Sequence, residues 1–258
     1  MQQLHPDKIE LWCAFCDQIA DEGLLAAYRS LLTPEERHRE SRFYFARDRH
    51  RYLITRALVR TVLSRYVAVA PDAWRFTADQ YGRPHIANPD SAAQRLSFNI
   101  SHTDRLVVLG ITCERALGVD TEPVSTRRAE LQIADRFFSA QEVAQLHATP
   151  AEQQQSRFFE YWTLKESYIK ARGMGLSLPL GQFGFDLSQP RGVQISIDES
   201  LNDDASRWMF WLLRVGADHY VAVGAEDVGR QAPKLICTSV VPLQSEAILE
   251  YETLRRSS

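Results

Sequence analysis

Asp120 and Glu122 stand two residues apart in LGVDTEPV, just after the apolar run LVVLGIT. Along a β-strand, residues i and i+2 point to one face, so these carboxylates would lie side by side and repel unless a cation sits between them. A third acid, Glu166, lies in YWTLKESYIK, where helical spacing lines up Trp162, Glu166 and Lys170 at intervals of four. An exposed Glu–Lys pair is ordinary on a helix surface and adds roughly a few tenths of a kcal/mol. Two features weigh against so plain a reading. Of the 30 Lys and Arg residues only four are lysines, and Lys165 and Lys170 are two of these. Lysine, unlike arginine, can give up its proton when desolvated, which suits a general base or a donor to a leaving group. The following loop, ARGMGLSLPL, offers Gly173 and Gly175 to end the helix and let the backbone approach a ligand. Three hard oxygen ligands are too few and too acidic for a closed zinc site. They suit Mg2+, whose octahedral shell is completed by water and the oxygens of a diphosphate substrate.

These acids need a strand and a long helix to hold them, and the chain offers such elements twice. TPEER at 33–37 and SAQEV at 139–143 are both capping boxes, Thr33 with Glu36 and Ser139 with Glu142. Each opens a helix, and each is followed by a longer aromatic and basic helix, RDRHRYLITRALVRTVLSRY and then SRFFEYWTLKESYIKARG. Strand-like runs come after both. WRFTAD, LSFNISH and RLVVLGIT follow the first, and FGFDL, VQISID, RWMFWLLRV and HYVAVGAE the second. The expected fold is therefore α+β, built as two similar pseudo-symmetric lobes. Residues 1–113 form the N-terminal lobe and 114–226 the C-terminal lobe with the metal site, leaving 227–258 as a C-terminal extension. Pockets often form between domains, and LGVDTE opens the second lobe.

Composition bounds the function. With 45% hydrophobic residues the 258-residue chain can bury a substantial core. It has no apolar run of the roughly 20 residues that cross a membrane. The opening MQQLHPDKIE carries neither the basic nor the apolar region of a signal peptide, so a cytoplasmic protein is expected. Cys13 and Cys16 have the spacing of half a zinc or redox site, but no second pair follows, so buried thiols are expected there; Cys113 and Cys237 stand alone, and no disulfide framework is visible. The net charge of -3 opposes a broadly basic nucleic-acid binder. Yet residues 37–65 hold nine arginines and two histidines against Glu40 and Asp48 alone, which reads as a local polyanion site or a solvated helix face.

GVDTEPV and FFEYWTLKESYIKARGMGLSLPL, together with QYGRPHI at 80–86 and FNISHTD at 98–104, resemble in order and spacing the motifs of the 4'-phosphopantetheinyl transferases, of the surfactin-synthetase-activating type. The match runs from Leu32 to Pro179. The resemblance implies two similar α+β lobes with coenzyme A in the cleft between them. It implies that Asp120, Glu122 and Glu166 hold Mg2+ against the pyrophosphate, and that Lys170 lies beside the same phosphates. Ser101 and His102 would contact pyrophosphate or pantetheine, Arg83 would meet the adenosine 3'-phosphate, and Arg39 and Arg51 align with basic contact positions. Glu36 stands where a well-studied type of member carries lysine, and Tyr52 where it carries threonine.

The implied reaction moves the phosphopantetheine arm of coenzyme A to a serine hydroxyl of an apo acyl or peptidyl carrier protein, releasing adenosine 3',5'-bisphosphate. Serine needs a base as it attacks; Glu166 or Lys170 is placed to serve, Glu166 being favoured, with Lys170 as charge stabiliser. Asp120 joins them as a catalytic residue through the metal. The carrier is expected to dock around DRFFSAQEVAQL, with Arg136 a candidate contact and Phe137 and Phe138 assigned to the core. The internal duplication makes a monomer sufficient. Two other readings stay open: a non-catalytic coenzyme A or carrier-binding module, which would need no metal acids, and a Mg2+-dependent phosphodiesterase acting on nucleic acid.

Overall fold

A computed structural model describes residues 4–125, 131–229 and 232–257. The chain forms two compact units, one of Met1–Glu114 with Pro233–Leu249, the other of Arg115–Ala232 with Glu250–Ser258. Both mix helices with antiparallel sheet, as the α+β expectation requires.

In the first unit, β1 (Lys8–Phe15), β4 (Leu96–His102), β5 (Leu106–Cys113), β11 (Lys234–Val241) and β12 (Ser245–Ile248) form a five-stranded sheet in the order β12-β11-β1-β5-β4. A β-hairpin of β2 (Phe76–Ala78) and β3 (Pro84–Ile86) stands apart. Helices α1 (Glu22–Ser30), α2 (Pro34–Ser41), α3 (Ala46–Leu63) and the short α4 (Ser91–Gln94) complete the unit. Leu53, Ile54, Ala57, Leu58 and Val62 of α3 recur at helical spacing and meet Trp12 and Ala14 of β1 and Val107, Leu109 and Ile111 of β5 in one core. β5 is buried along its whole length, which accounts for its unbroken apolar sequence.

The second unit has a four-stranded antiparallel sheet in the order β13-β9-β10-β6, from β6 (Leu117–Pro123), β9 (Trp208–Val215), β10 (His219–Glu226) and β13 (Tyr251–Arg256). α5 (Ala134–Phe137), α6 (Ala140–Ala148) and the 22-residue α7 (Ala151–Arg172) pack with it, and β7 (Phe183–Asp186) and β8 (Gln194–Ile197) form a separate pair. α7 ends at Gly173, whose φ of 70° is the left-handed cap that glycine adopts without steric cost. Both capping boxes form with both hydrogen bonds in place.

The stretch after residue 226, set apart by the sequence as an extension, is drawn into the sheets. β11 lies parallel to β1 and β13 antiparallel to β9. β11 sits between β1 and β12, and β13 forms the edge of the second sheet. Among the described residues no helix is long and apolar enough to cross a membrane.

Candidate active site

The site begins with two glycines that carry no chemistry. A Cβ on Gly118 would overlap the carbonyl oxygen of Ser167 and the amide nitrogen of Ala171. On the neighbouring strand Gly224 pairs with Gly118, and a Cβ there would lie 2.9 Å from the Phe210 ring and 3.3 Å from Ser167 Oγ. The pair makes a slot into which α7 lowers its own backbone. Gly118, Asp120 and Glu122 share one face of β6 by the two-residue period, so the acids stand on the side that α7 covers. One helical turn from the slot, Lys170 reaches across and its Nζ donates to Asp120 Oδ1 at 2.7 Å.

Asp120 is buried, while Glu122, Glu166 and Lys170 are half-buried. Burial pushes the Glu166 carboxyl up to about 7; the charge of Asp120 adds to this, Lys170 opposes it, and Glu122 adds further. The three predicted acids thus act on one another electrostatically, as their spacing implied. Among the described residues no three acids, histidines or cysteines stand close enough to hold a metal ion as they are. The chemistry of the donor set nevertheless fits a hard divalent cation. Three carboxylates share a poorly solvated spot with one ammonium among them, and added positive charge would relieve the strain that raises Glu166.

Lys165, the other lysine singled out by its rarity, does different work. Its Nζ donates to Glu142 Oε2 and to the Phe183 carbonyl, each at 2.7 Å, inside the core and 4.3 Å from the Phe183 ring centroid. It is a structural cation. A cluster that sequence reasoning missed holds the end of α7. Asp203 accepts hydrogen bonds from Tyr168 Oη at 2.7 Å, Trp208 Nε1 at 2.9 Å, Arg207 at 2.8 Å and Arg172. Burial would raise the Asp203 carboxyl, but these donors hold it below its ordinary value. The sequence signals none of this, because the partners lie up to 35 residues apart. Gly118 was missed too, though a signal existed, since a glycine inside a strand marks close backbone approach.

The remaining predicted residues belong to the first unit. Ser101 is buried in β4 and His102 is exposed at its end. Arg83 follows a turn in which Asp79 Oδ1 accepts from the amides of Tyr81 and Arg83, and Gly82 takes the positive φ of 83°. Desolvation lowers the Arg83 pKa against the opposing charge of Asp79. Arg51 is braced between Asp48 Oδ1 at 2.8 Å and Asp104 Oδ1 at 2.7 Å, and Asp104 lies two residues past His102. Arg39 lines a pocket of about 450 Å3 together with Arg56, Arg60, Arg75, Tyr52 and Trp74. The departures at Glu36 and Tyr52 acquire reasons. Glu36 closes its capping box and holds Arg60 Nη2 at 2.6 Å, while Tyr52 packs on Phe43 and carries Arg56 over its ring. Phe138 is buried and Phe137 packs against the same core, as expected, and all four cysteines are free and buried.

Residues 116–224 match the family described as the 4'-phosphopantetheinyl transferase superfamily, and residues 20–114 match 4'-phosphopantetheinyl transferase, N-terminal. The chain belongs to the 4'-phosphopantetheinyl transferase superfamily. It is 38% identical over 174 residues to 4'-phosphopantetheinyl transferase Sfp of Bacillus subtilis, covering 67% of this chain and 74% of that protein. It is 34% identical over 171 residues to 4'-phosphopantetheinyl transferase HetI of Nostoc, covering 66% and 71%. To the phosphopantetheinyl transferase of Thraustochytrium it is 31% identical over 234 residues, covering 86% and 80%.

Proposed function

We propose that this chain, acting as a cytoplasmic monomer, transfers the 4'-phosphopantetheine arm of coenzyme A to a serine hydroxyl of an apo acyl or peptidyl carrier protein, with Asp120, Glu122 and Glu166 as ligands of Mg2+. The observation that carries the reading is the set of three carboxylates and Lys170 gathered by the seating of α7 on β6. Asp120, Glu122 and Glu166 would hold the cation, which would supply positive charge against the charge developing on the leaving group.

Glu166 takes the serine proton as Oγ attacks the phosphorus nearer the pantetheine. The new serine O–P bond forms as the bond to the bridging oxygen breaks, and adenosine 3',5'-bisphosphate leaves. Lys170, which donates to Asp120, offers its ammonium to the phosphoryl oxygens. In the first unit, Ser101 and His102 contact the pyrophosphate or pantetheine, Arg83 the 3'-phosphate, and Arg39 and Arg51 the anionic end of the coenzyme. Four arginines line the Arg39 pocket against Glu35 and Glu36, an excess of positive charge that supports an anionic ligand there.

The test is transfer to apo carrier proteins followed by intact mass. A gain of one phosphopantetheine is expected with Mg2+, and its loss on Asp120→Ala with coenzyme A binding retained. Glu166→Gln should lower kcat by about 100-fold or more and change coenzyme A affinity much less. Equal losses in turnover and affinity would remove Glu166 as the base.

A further inference from the structure

Two large rings of this protein stand together in water. Tyr44 is 90% and Phe45 54% exposed, adjacent in the link between α2 and α3, with ring centroids 5.0 Å apart edge to face. The link is held in shape beneath them. Phe43 packs on Tyr52, Arg49 Nη2 donates to the Phe43 carbonyl at 3.1 Å, and the Arg47 guanidinium lies 5.5 Å from the Phe45 ring centroid. Phe45 is also the N-cap of the 18-residue α3 and supplies no side-chain cap. Asp21 caps α1 and Thr33 caps α2, and such a residue at position 45 would add about 1 kcal/mol. Local stability is given up here in favour of an exposed ring, which is the mark of a position kept for something outside the fold.

The rim is basic. Arg42, Arg47 and Arg49 are exposed. The acids nearby are already engaged, Asp48 with Arg51, and Asp104 with Arg51 at 2.7 Å and Arg47 at 3.6 Å. Asp104 also ties this rim to the end of β4, two residues past His102. An aromatic centre ringed by arginines is the composition of a protein-binding hot spot, and its charge selects an acidic partner. In DRFFSAQEVAQL, where the sequence placed the carrier, Phe138 is in the core and Phe137 packs against it, as expected.

We propose that Tyr44 and Phe45, rimmed by Arg42, Arg47 and Arg49, are a docking surface for the carrier protein, seating an apolar spot of the carrier between carboxylates that meet the arginines. The proposal rests on the transfer reaction above and adds its protein-recognition surface.

The experiment compares the wild-type chain with Tyr44→Ser/Phe45→Ser and with Arg47→Glu, using an apo acyl and an apo peptidyl carrier protein, with intact mass as readout and Tm recorded for each variant. The KM for carrier should rise roughly tenfold or more in each variant, with the KM for coenzyme A unchanged and the Tm lowered in neither, Phe45→Ser even supplying the missing cap of α3. A carrier with one surface acid reversed to lysine should recover much of the Arg47→Glu loss, which no folding defect would produce. An unchanged carrier KM overturns the docking surface while leaving the reaction standing. A rise in the coenzyme A KM alone overturns it by assigning the link to the coenzyme. So does an unchanged carrier KM accompanied by loss of a wild-type dimer in sedimentation, or of binding to vesicles of anionic phospholipid. If the wild-type chain modifies neither carrier, the reaction itself fails and takes the docking surface with it.

Discussion

The two capping boxes perform one local task and end in different surroundings. In the first unit Glu36 completes the box and reaches Arg60, 24 residues on, at 2.6 Å; in the second Glu142 completes the box and reaches Lys165, 23 residues on, at 2.7 Å. Each cation lies on the long helix that follows and beneath an aromatic ring, Phe76 in one case and Phe183 in the other. There the likeness stops. Glu142 is fully buried and also accepts from the Phe185 amide at 2.9 Å, so its pair is sealed into the core. Glu36 keeps 15% of its side chain in solvent, shares itself with Arg56 and borders the Arg39 pocket. Arginine, though buried, has donors enough for the Pro71 and Trp74 carbonyls as well as Glu36, whereas lysine is a point charge satisfied by two oxygens in a closed space. One motif has become core in one half and the wall of an open pocket in the other.

That contrast breaks most severely at Lys165. Lys165→Met strands a buried carboxylate and should cost about 3–5 kcal/mol in urea unfolding, while Lys165→Met with Glu142→Leu should recover a large part of the loss. Arg60→Met should cost less, about 1–3 kcal/mol, because water can reach Glu36 in place of the guanidinium. Equal costs for the two single substitutions would erase the distinction. The acids of β6 and α7 sharpen it from another side, since the cation among them, Lys170, is itself half-buried. Glu166 has a folded pKa of about 7 against an ordinary value of 4.5, so the folded state holds this proton more tightly than the unfolded chain. Stability from this group is therefore full below the ordinary value and is lost as pH rises through about 7. Metal-free protein should show a Tm that falls by a few degrees across that interval, and Mg2+ should flatten the fall. A pH-independent difference between the two samples would separate Glu166 from the cation.

Much of this was legible because it is local. The capping boxes, the long helices and the acid-bearing strand each announce themselves within a dozen residues, and the fold class follows from their order. Ser101, Arg83 and the three acids were singled out as candidates by motif. What stayed hidden depends on distant pairing. Asp203 gathers donors from two segments, Lys165 finds Glu142 across 23 residues, and the strands after 226 join sheets begun at residues 8 and 117. The rarity of lysine pointed equally to Lys165 and Lys170. Only their surroundings separate a core cation from one beside the acids.

The glycine slot under α7 has a consequence for how this protein can change. Because the helix rests on the strand through main chain rather than side chains, the spacing between Asp120 and Glu166 is fixed by atoms that every residue possesses. The aromatic and aliphatic filling around it can drift over generations without moving the acids, provided positions 118 and 224 stay bare. The geometry of the reaction is thereby insulated from the history of the core.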